Sequence, residues 1–241
     1  MNKMFSVLYF HIFSIVRSPK YVLPIAFLVF LQIMHYTTVH APPAQFFDYI
    51  FLSEIFTFAI SVWLGSASNK WFETTTEQLL ILKVGSDKLY YAIYTVFLFV
   101  LSVCISLISV AIPTIYSFTG LFEQFTVTYF AYSFVLFLGS SFAGICLGSL
   151  FHPRMFTKKN EAQFLAILAC IVAITRYPIS QTYPILNYVL WILPNLSSHQ
   201  AIITSSSELI FSNVGLLVLV SIAYGILYAI IKILLLCRKR F

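Results

Sequence analysis

Residues 88–112 read KLYYAIYTVFLFVLSVCISLISVAI. One charge, Lys88, stands at the head of this run, and none follows within it. A helix crossing the hydrocarbon of a bilayer needs about 20 predominantly apolar residues, and this run exceeds that length. Its natural solvent is lipid. Five further runs meet or approach the same criterion, at residues 20–38, 47–68, 126–150, 163–180 and 212–236. The fifth in chain order carries Arg176 and Pro178, so it is expected to end before the far interface.

The whole composition follows from the same solvent. Apolar residues make up 60% of the 241 and charged residues 9%; soluble domains carry about 25% charged residues. The mean hydropathy is +0.93. With 25 Phe and 15 Tyr, aromatic side chains are plentiful for acyl chains and interfaces. The sequence predicts an all-α integral membrane protein, a single transmembrane domain over residues 1–241. The net charge of +6 does not point to nucleic acid, because its basic residues form short groups between apolar runs and no basic stripe. Cys104, Cys146, Cys170 and Cys237 fall within or at the end of apolar runs, with no CxxC or CxH pairing. They are expected to be free thiols rather than metal ligands or disulfides. His35 and His40 alone do not make a metal site.

Lysine and arginine set the orientation. Lys3, Arg17 and Lys20 precede the first span; Lys70, Lys83 and Lys88 lie between spans two and three. Arg154, Lys158 and Lys159 follow span four, and Lys232, Arg238, Lys239 and Arg240 belong to the tail. Thus 13 of the 14 basic residues fall on one side, leaving Arg176 opposite. Both termini are therefore expected in the cytoplasm. No small-residue cleavage site follows the first apolar stretch, so no cleaved signal peptide is expected.

Residues 1–18 read differently from a span. At helical spacing Lys3, Ser6, His11, Ser14 and Arg17 share one face, while Phe5, Leu8, Ile12, Phe13 and Ile15 cover the rest. An amphipathic helix lying in the interface is expected, followed by Ser18-Pro19 as N-cap and first helical residue. On the other side, residues 181–211 are long and moderately apolar, with Pro184 and Pro194. The piece 185–193 is too short to cross and is expected to be re-entrant or interfacial.

Residues 69–92, NKWFETTTEQLLILKVGSDKLYYA, connect spans two and three. Thr74 with Glu77, or Thr75 with Gln78, offers a capping box. Leu79, Leu80 and Leu82 follow, then Gly85 as a helix stop and Ser86 as a cap for the next span. A short helix over 74–84 is expected on the cytoplasmic side. Its leucines either rest on the membrane surface or enter a partner's groove.

The run Glu73-Thr74-Thr75-Thr76-Glu77-Gln78-Leu79-Leu80, with Ser86 and Tyr91-Ala92 after it, resembles the corresponding connection of type-2 ABC transporter permeases. In that family the segment is the coupling helix that docks into an ATPase subunit. The resemblance extends to an N-terminal elbow helix, six spans with both ends inside, and outer re-entrant helices like Pro184-Ile185-Leu186 to Leu193-Pro194. Thr75 and Thr76 replace the family's usual Gly and Leu, and Ile93 its basic residue. The resemblance implies ATPase coupling through Glu73, Thr75, Thr76, Glu77, Gln78, Leu79, Leu80, Leu82 and Lys83. No GxxxxGK[ST] motif occurs. ATP and Mg are therefore expected in a separate ABC ATPase, and this chain is expected to be neither an enzyme nor a cofactor binder. A second permease subunit, identical or different, is also implied.

Glu54 is an acidic residue well inside a span, where burial demands a protein or water-facing position. It is a candidate for the substrate pathway, or a hydrogen-bonded contact between helices. Arg176 is the second pathway candidate and a possible partner for it. Gly144 and Gly148 form a GxxxG match that permits close helix approach, within one subunit or between two.

Paired acids and bases for an intramembrane enzyme, a charged ring for a channel, and broken helices in matching halves for a secondary transporter are all missing. An exporter of amphipathic or hydrophobic cargo is the leading expectation. Small permeases of the kind it resembles move antimicrobial, bacteriocin or modulin-like peptides, or serve in immunity. Lipid or drug export, or a non-transporting immunity protein, are the alternatives. The residue usage suggests a low-GC bacterium and its plasma membrane.

Overall fold

In a computed structural model, the structure describes residues 3–17, 19–38, 46–71, 74–118, 127–156, 159–196 and 211–238. Helix α1 covers Lys3–Arg17, and a 3-10 turn at Pro19–Tyr21 leads into α2, Val22–Thr37. Then come α3 at Phe46–Ser68, α4 at Thr74–Val84, α5 at Asp87–Phe118 and α6 at Val127–Leu150. After a 3-10 turn at Pro153–Met155 the chain forms α7, Lys159–Thr182. The turn Pro184–Leu186 and the short α8, Asn187–Leu190, precede the last helix, α9, Phe211–Arg238. Six of these helices are long and apolar enough to cross a membrane. The chain is a multi-pass membrane protein.

Helix α6 is the axis of the bundle. It packs most extensively on α3 and α9, then on α5. Small residues make this possible. A methyl on Gly148 would overlap the carbonyl of Val62, and one on Gly65 that of Ile145. A Cβ on Gly144 would lie 2.8 Å from the Phe58 carbonyl oxygen. The GxxxG face of α6 thus closes on α3 of the same chain, where backbones in near contact gain dispersion energy that larger side chains would forbid. Helix α2 rests on α3 and α5, and α7 rests mainly on α3. Both leave large apolar residues outward, such as Leu23, Phe27 and Phe30 on α2 and Phe164, Ile167 and Ile171 on α7. Such surfaces suit acyl chains.

Two helices outrun their expected ends. Helix α5 passes Pro113 and continues to Phe118, and α7 passes Pro178 and reaches Thr182. A proline removes one ladder hydrogen bond. That loss is small beside the packing of a long helix, and both helices run on through the proline. The fifth span, Asn160–Thr182, is continuous through Pro178 and long enough to cross.

Several polar side chains inside the bundle bond to one another across helices. Gln32 donates to Thr57 at 3.3 Å, Thr57 meets Ser109 at 2.9 Å, and Ser53 donates to Tyr36 at 2.8 Å. Ser106 meets Ser141 at 2.9 Å. These bonds tie α2, α3, α5 and α6 together where water is not at hand to compensate.

Candidate functional site

Helix α4 begins just after residues 72–73, so Glu73 lies outside the described residues. The helix ends at Gly85, whose φ of +82° is the left-handed conformation that glycine supplies without strain. The Gly85 N–H donates to the Ile81 carbonyl at 2.8 Å. One face of α4 is anchored. Leu80 and Ile81 are buried with Val7 of α1, Tyr90 and Tyr91 of α5, and Leu236 of α9. Lys83 donates to Ser6 at 2.9 Å. Glu77 forms an ion pair with Arg154 at 2.9 Å and accepts from the Tyr91 hydroxyl at 3.1 Å. Arg154 also donates to the Tyr91 oxygen at 3.1 Å.

The opposite face is bare. Leu79 is 66% exposed and Leu82 76% exposed, and Thr75 is exposed as well. Thr76 and Gln78 are half-buried. The leucines treated together in the sequence therefore divide: Leu80 belongs to the chain's own core, while Leu79 and Leu82 point away from it. The division follows from helical geometry, since neighbours one apart lie about 100° around the axis.

Behind Glu77 lies a small polar chamber of about 20 Å³, lined by Ser68, Asn69, Tyr94, His152 and Lys232 among others. That is room for roughly one water. Lys232 donates to Asn69 at 3.1 Å and sits 4.3 Å from the centre of the Tyr94 ring. Asn69 donates in turn to the carbonyls of Ser149 and Phe151, and Tyr94 donates to Ser68 at 2.7 Å. The chamber joins α3, α5, α6 and α9 beside the foot of α4. Lys232 is 3% exposed. It belongs to the interior of α9 and not to a solvated tail. The signal was available: apolar residues continue for more than a turn beyond it, through Ile233 to Leu236.

Alongside, His11 of α1 is buried against Tyr90, Tyr94 and Phe97, with ring centres 5.3 to 5.7 Å away. Burial, and then the charge of Lys232, lower its pKa to about 4. The imidazole is neutral at ordinary pH. Its position corrects the amphipathic pattern: His11 is buried and does not share the exposed face of Arg17.

Glu54 and Arg176 are held by different parts of the bundle. Glu54 is fully buried and accepts a hydrogen bond from Ser140 of α6. Arg176 donates to the carbonyl of Leu193, to the Tyr224 hydroxyl and to the Asn187 side chain. Tyr224 and Tyr228 of α9 donate to the carbonyls of Trp191 and Ile192. Together these clamp the turn that follows α8. Among the described residues no group of three or more His, Cys, Asp or Glu is arranged to hold a metal. The described cysteines are all free thiols.

No protein-family model, curated protein or solved structure matches the chain.

Proposed function

We propose that this chain is the membrane-spanning subunit of an ATP-driven exporter, with α4 as the element that receives work from a separate nucleotide-hydrolysing subunit. The observation that carries this is the two-sidedness of α4. Its exposed face offers Leu79 and Leu82 as apolar knobs, the kind of anchor a partner's groove accepts. Its other face is bound to α1, α5 and the connection between α6 and α7 by apolar contacts, an ion pair and hydrogen bonds.

A push on the knobs cannot leave the bundle unchanged. Moving α4 displaces Glu77, and with it Arg154 and Tyr91. The chamber behind them carries the displacement to α3, α6 and α9. A loosely tethered interfacial helix would have no need of these ties. The clustering of Lys and Arg favours a cytoplasmic position for α4. The apolar outer surface and the few interior charges suit amphipathic or hydrophobic cargo, peptides first among them. A second copy or a related permease would complete the pathway.

The proposal requires an ABC ATPase encoded beside this chain, and the test is purification of the two together with this chain tagged and full-length. The proposal requires a stable complex with magnesium-dependent ATP hydrolysis. If the purified ATPase and this chain, mixed at micromolar concentration in nanodiscs, show no association, the proposal fails.

A further inference from the structure

At the end of the bundle away from α4, Arg176 lines a cleft of about 460 Å³ with Pro184, Ile185, Asn187, Tyr188 and Trp191. Arg176 is 9% exposed. Its acceptors are all neutral: the Leu193 carbonyl, the Tyr224 hydroxyl at 3.4 Å and the Asn187 Oδ1 at 3.4 Å. The last two are long for N–H···O bonds. Its Nε has no hydrogen-bond partner among the described residues. No described carboxylate forms an ion pair with it.

Withdrawing a cation from water against neutral acceptors, two of them at stretched distances, is costly, and a nearby anion relieves that cost. A planar guanidinium matches two oxygens of a phosphate or carboxylate at once. The surroundings decide which. Ile185 and Tyr188 are more than four-fifths exposed, and Trp191 is 57% exposed. Apolar and aromatic side chains at the mouth of a cleft suit the level where headgroups meet acyl chains. Arg176 lies six residues before the end of α7 at Thr182, or about 9 Å along the helix. That is within a side chain's reach of the headgroup layer.

We propose that this cleft binds the phosphate of an anionic phospholipid in the adjoining leaflet. Arg176 and the Asn187 amide would hold the phosphate oxygens, and Tyr188 and Trp191 would flank the glycerol and upper acyl chains. The bound lipid would brace the turn from Asn187 to Leu193 against α7 and α9. This does not depend on the transport proposal, since such a site would stand in a protein that moves nothing.

The experiment is native mass spectrometry of the full chain with phosphatidylglycerol, phosphatidylcholine or inorganic phosphate as probes. Wild type should retain one phosphatidylglycerol in preference to phosphatidylcholine, and millimolar phosphate should not displace it. Arg176→Gln should weaken that binding about tenfold to a hundredfold. Asn187→Asp, which keeps the arginine and supplies an internal carboxylate, should also abolish the preference even if Arg176→Gln fails to fold. Tyr188→Ala with Trp191→Ala should weaken lipid binding while leaving the arginine in place. Equal retention of the two lipids by wild type overturns the proposal. So does unchanged phosphatidylglycerol binding in Asn187→Asp, or its displacement by phosphate, which would mark a site for free anions.

Discussion

Replacing Leu79 and Leu82 together by alanine should separate partner binding from folding. Leu79 and Leu82 are 66% and 76% exposed in the chain alone. Completely burying a leucine contributes about 1.5–3 kcal/mol. Taking roughly two-thirds to three-quarters of that for each, the pair would contribute about 2–4 kcal/mol to a docked complex. At about 1.4 kcal/mol per factor of ten, the double variant should bind the ATPase about 30-fold to 700-fold more weakly. Its own stability should shift by no more than about 0.5 kcal/mol per site, as for other exposed substitutions. Leu80 is the control. It is 8% exposed and packed with Val7, Tyr90 and Leu236, so Leu80→Ala should cost about 2–5 kcal/mol of stability. Titration of the purified ATPase into nanodiscs gives the affinity, and thermal unfolding of the same samples gives the stability. Unchanged affinity in the Leu79/Leu82 variant would refute the reasoning. So would a loss of stability comparable to that of Leu80→Ala, because α4 would then be buried in some other way.

Three further outcomes follow from the packing. Gly148→Leu should drive α6 away from α3, since even a methyl there meets the Val62 carbonyl; thermal unfolding should show a loss of at least about 1–3 kcal/mol. Glu77→Gln removes an ion pair whose side chains are 12% and 16% exposed, and should loosen α4 by about 1–3 kcal/mol, read as faster proteolysis at Lys83. His11 should make stability depend on pH. Its folded pKa, near 4, is below the unfolded value near 6.5, so the unfolded chain binds the extra proton between them. Stability should be complete above about pH 6.5 and fall by about 2 kcal/mol by pH 5. His11→Phe should flatten that decline in thermal unfolding measured across the range.

The spans were legible because hydrocarbon demands long apolar runs, and 88–112 could hardly be read otherwise. The helix at 74–84 was legible from its threonines, leucines and closing glycine. What the sequence did not disclose is which residues meet across the bundle. Nothing adjacent to Glu77 names Arg154, which is 77 residues away, and the amphipathic pattern of residues 3–17 gave no sign that His11 turns inward. Lys232 was assigned to the tail because charge was counted by position along the chain, whereas its burial depends on Asn69 and Tyr94 from other helices. Pro178 misled about the fifth span because a single lost backbone bond is a small penalty beside the packing of a whole helix. Glu54 and Arg176 each looked like half of a pair, yet each found its partners nearby: Ser140 for the first, the turn after α8 for the second.

The side of the membrane on which α4 lies is the measurement that matters most. A single cysteine at position 86, made as Ser86→Cys in a background with Cys237→Ser, can be tested with a membrane-impermeant maleimide. Ser86 is exposed and follows the closing Gly85 of α4. The account predicts no labelling in intact cells and full labelling in inverted membrane vesicles, with Tyr188→Cys giving the reverse. Labelling of position 86 from outside intact cells would contradict it, for the exposed leucines would then face away from any source of ATP.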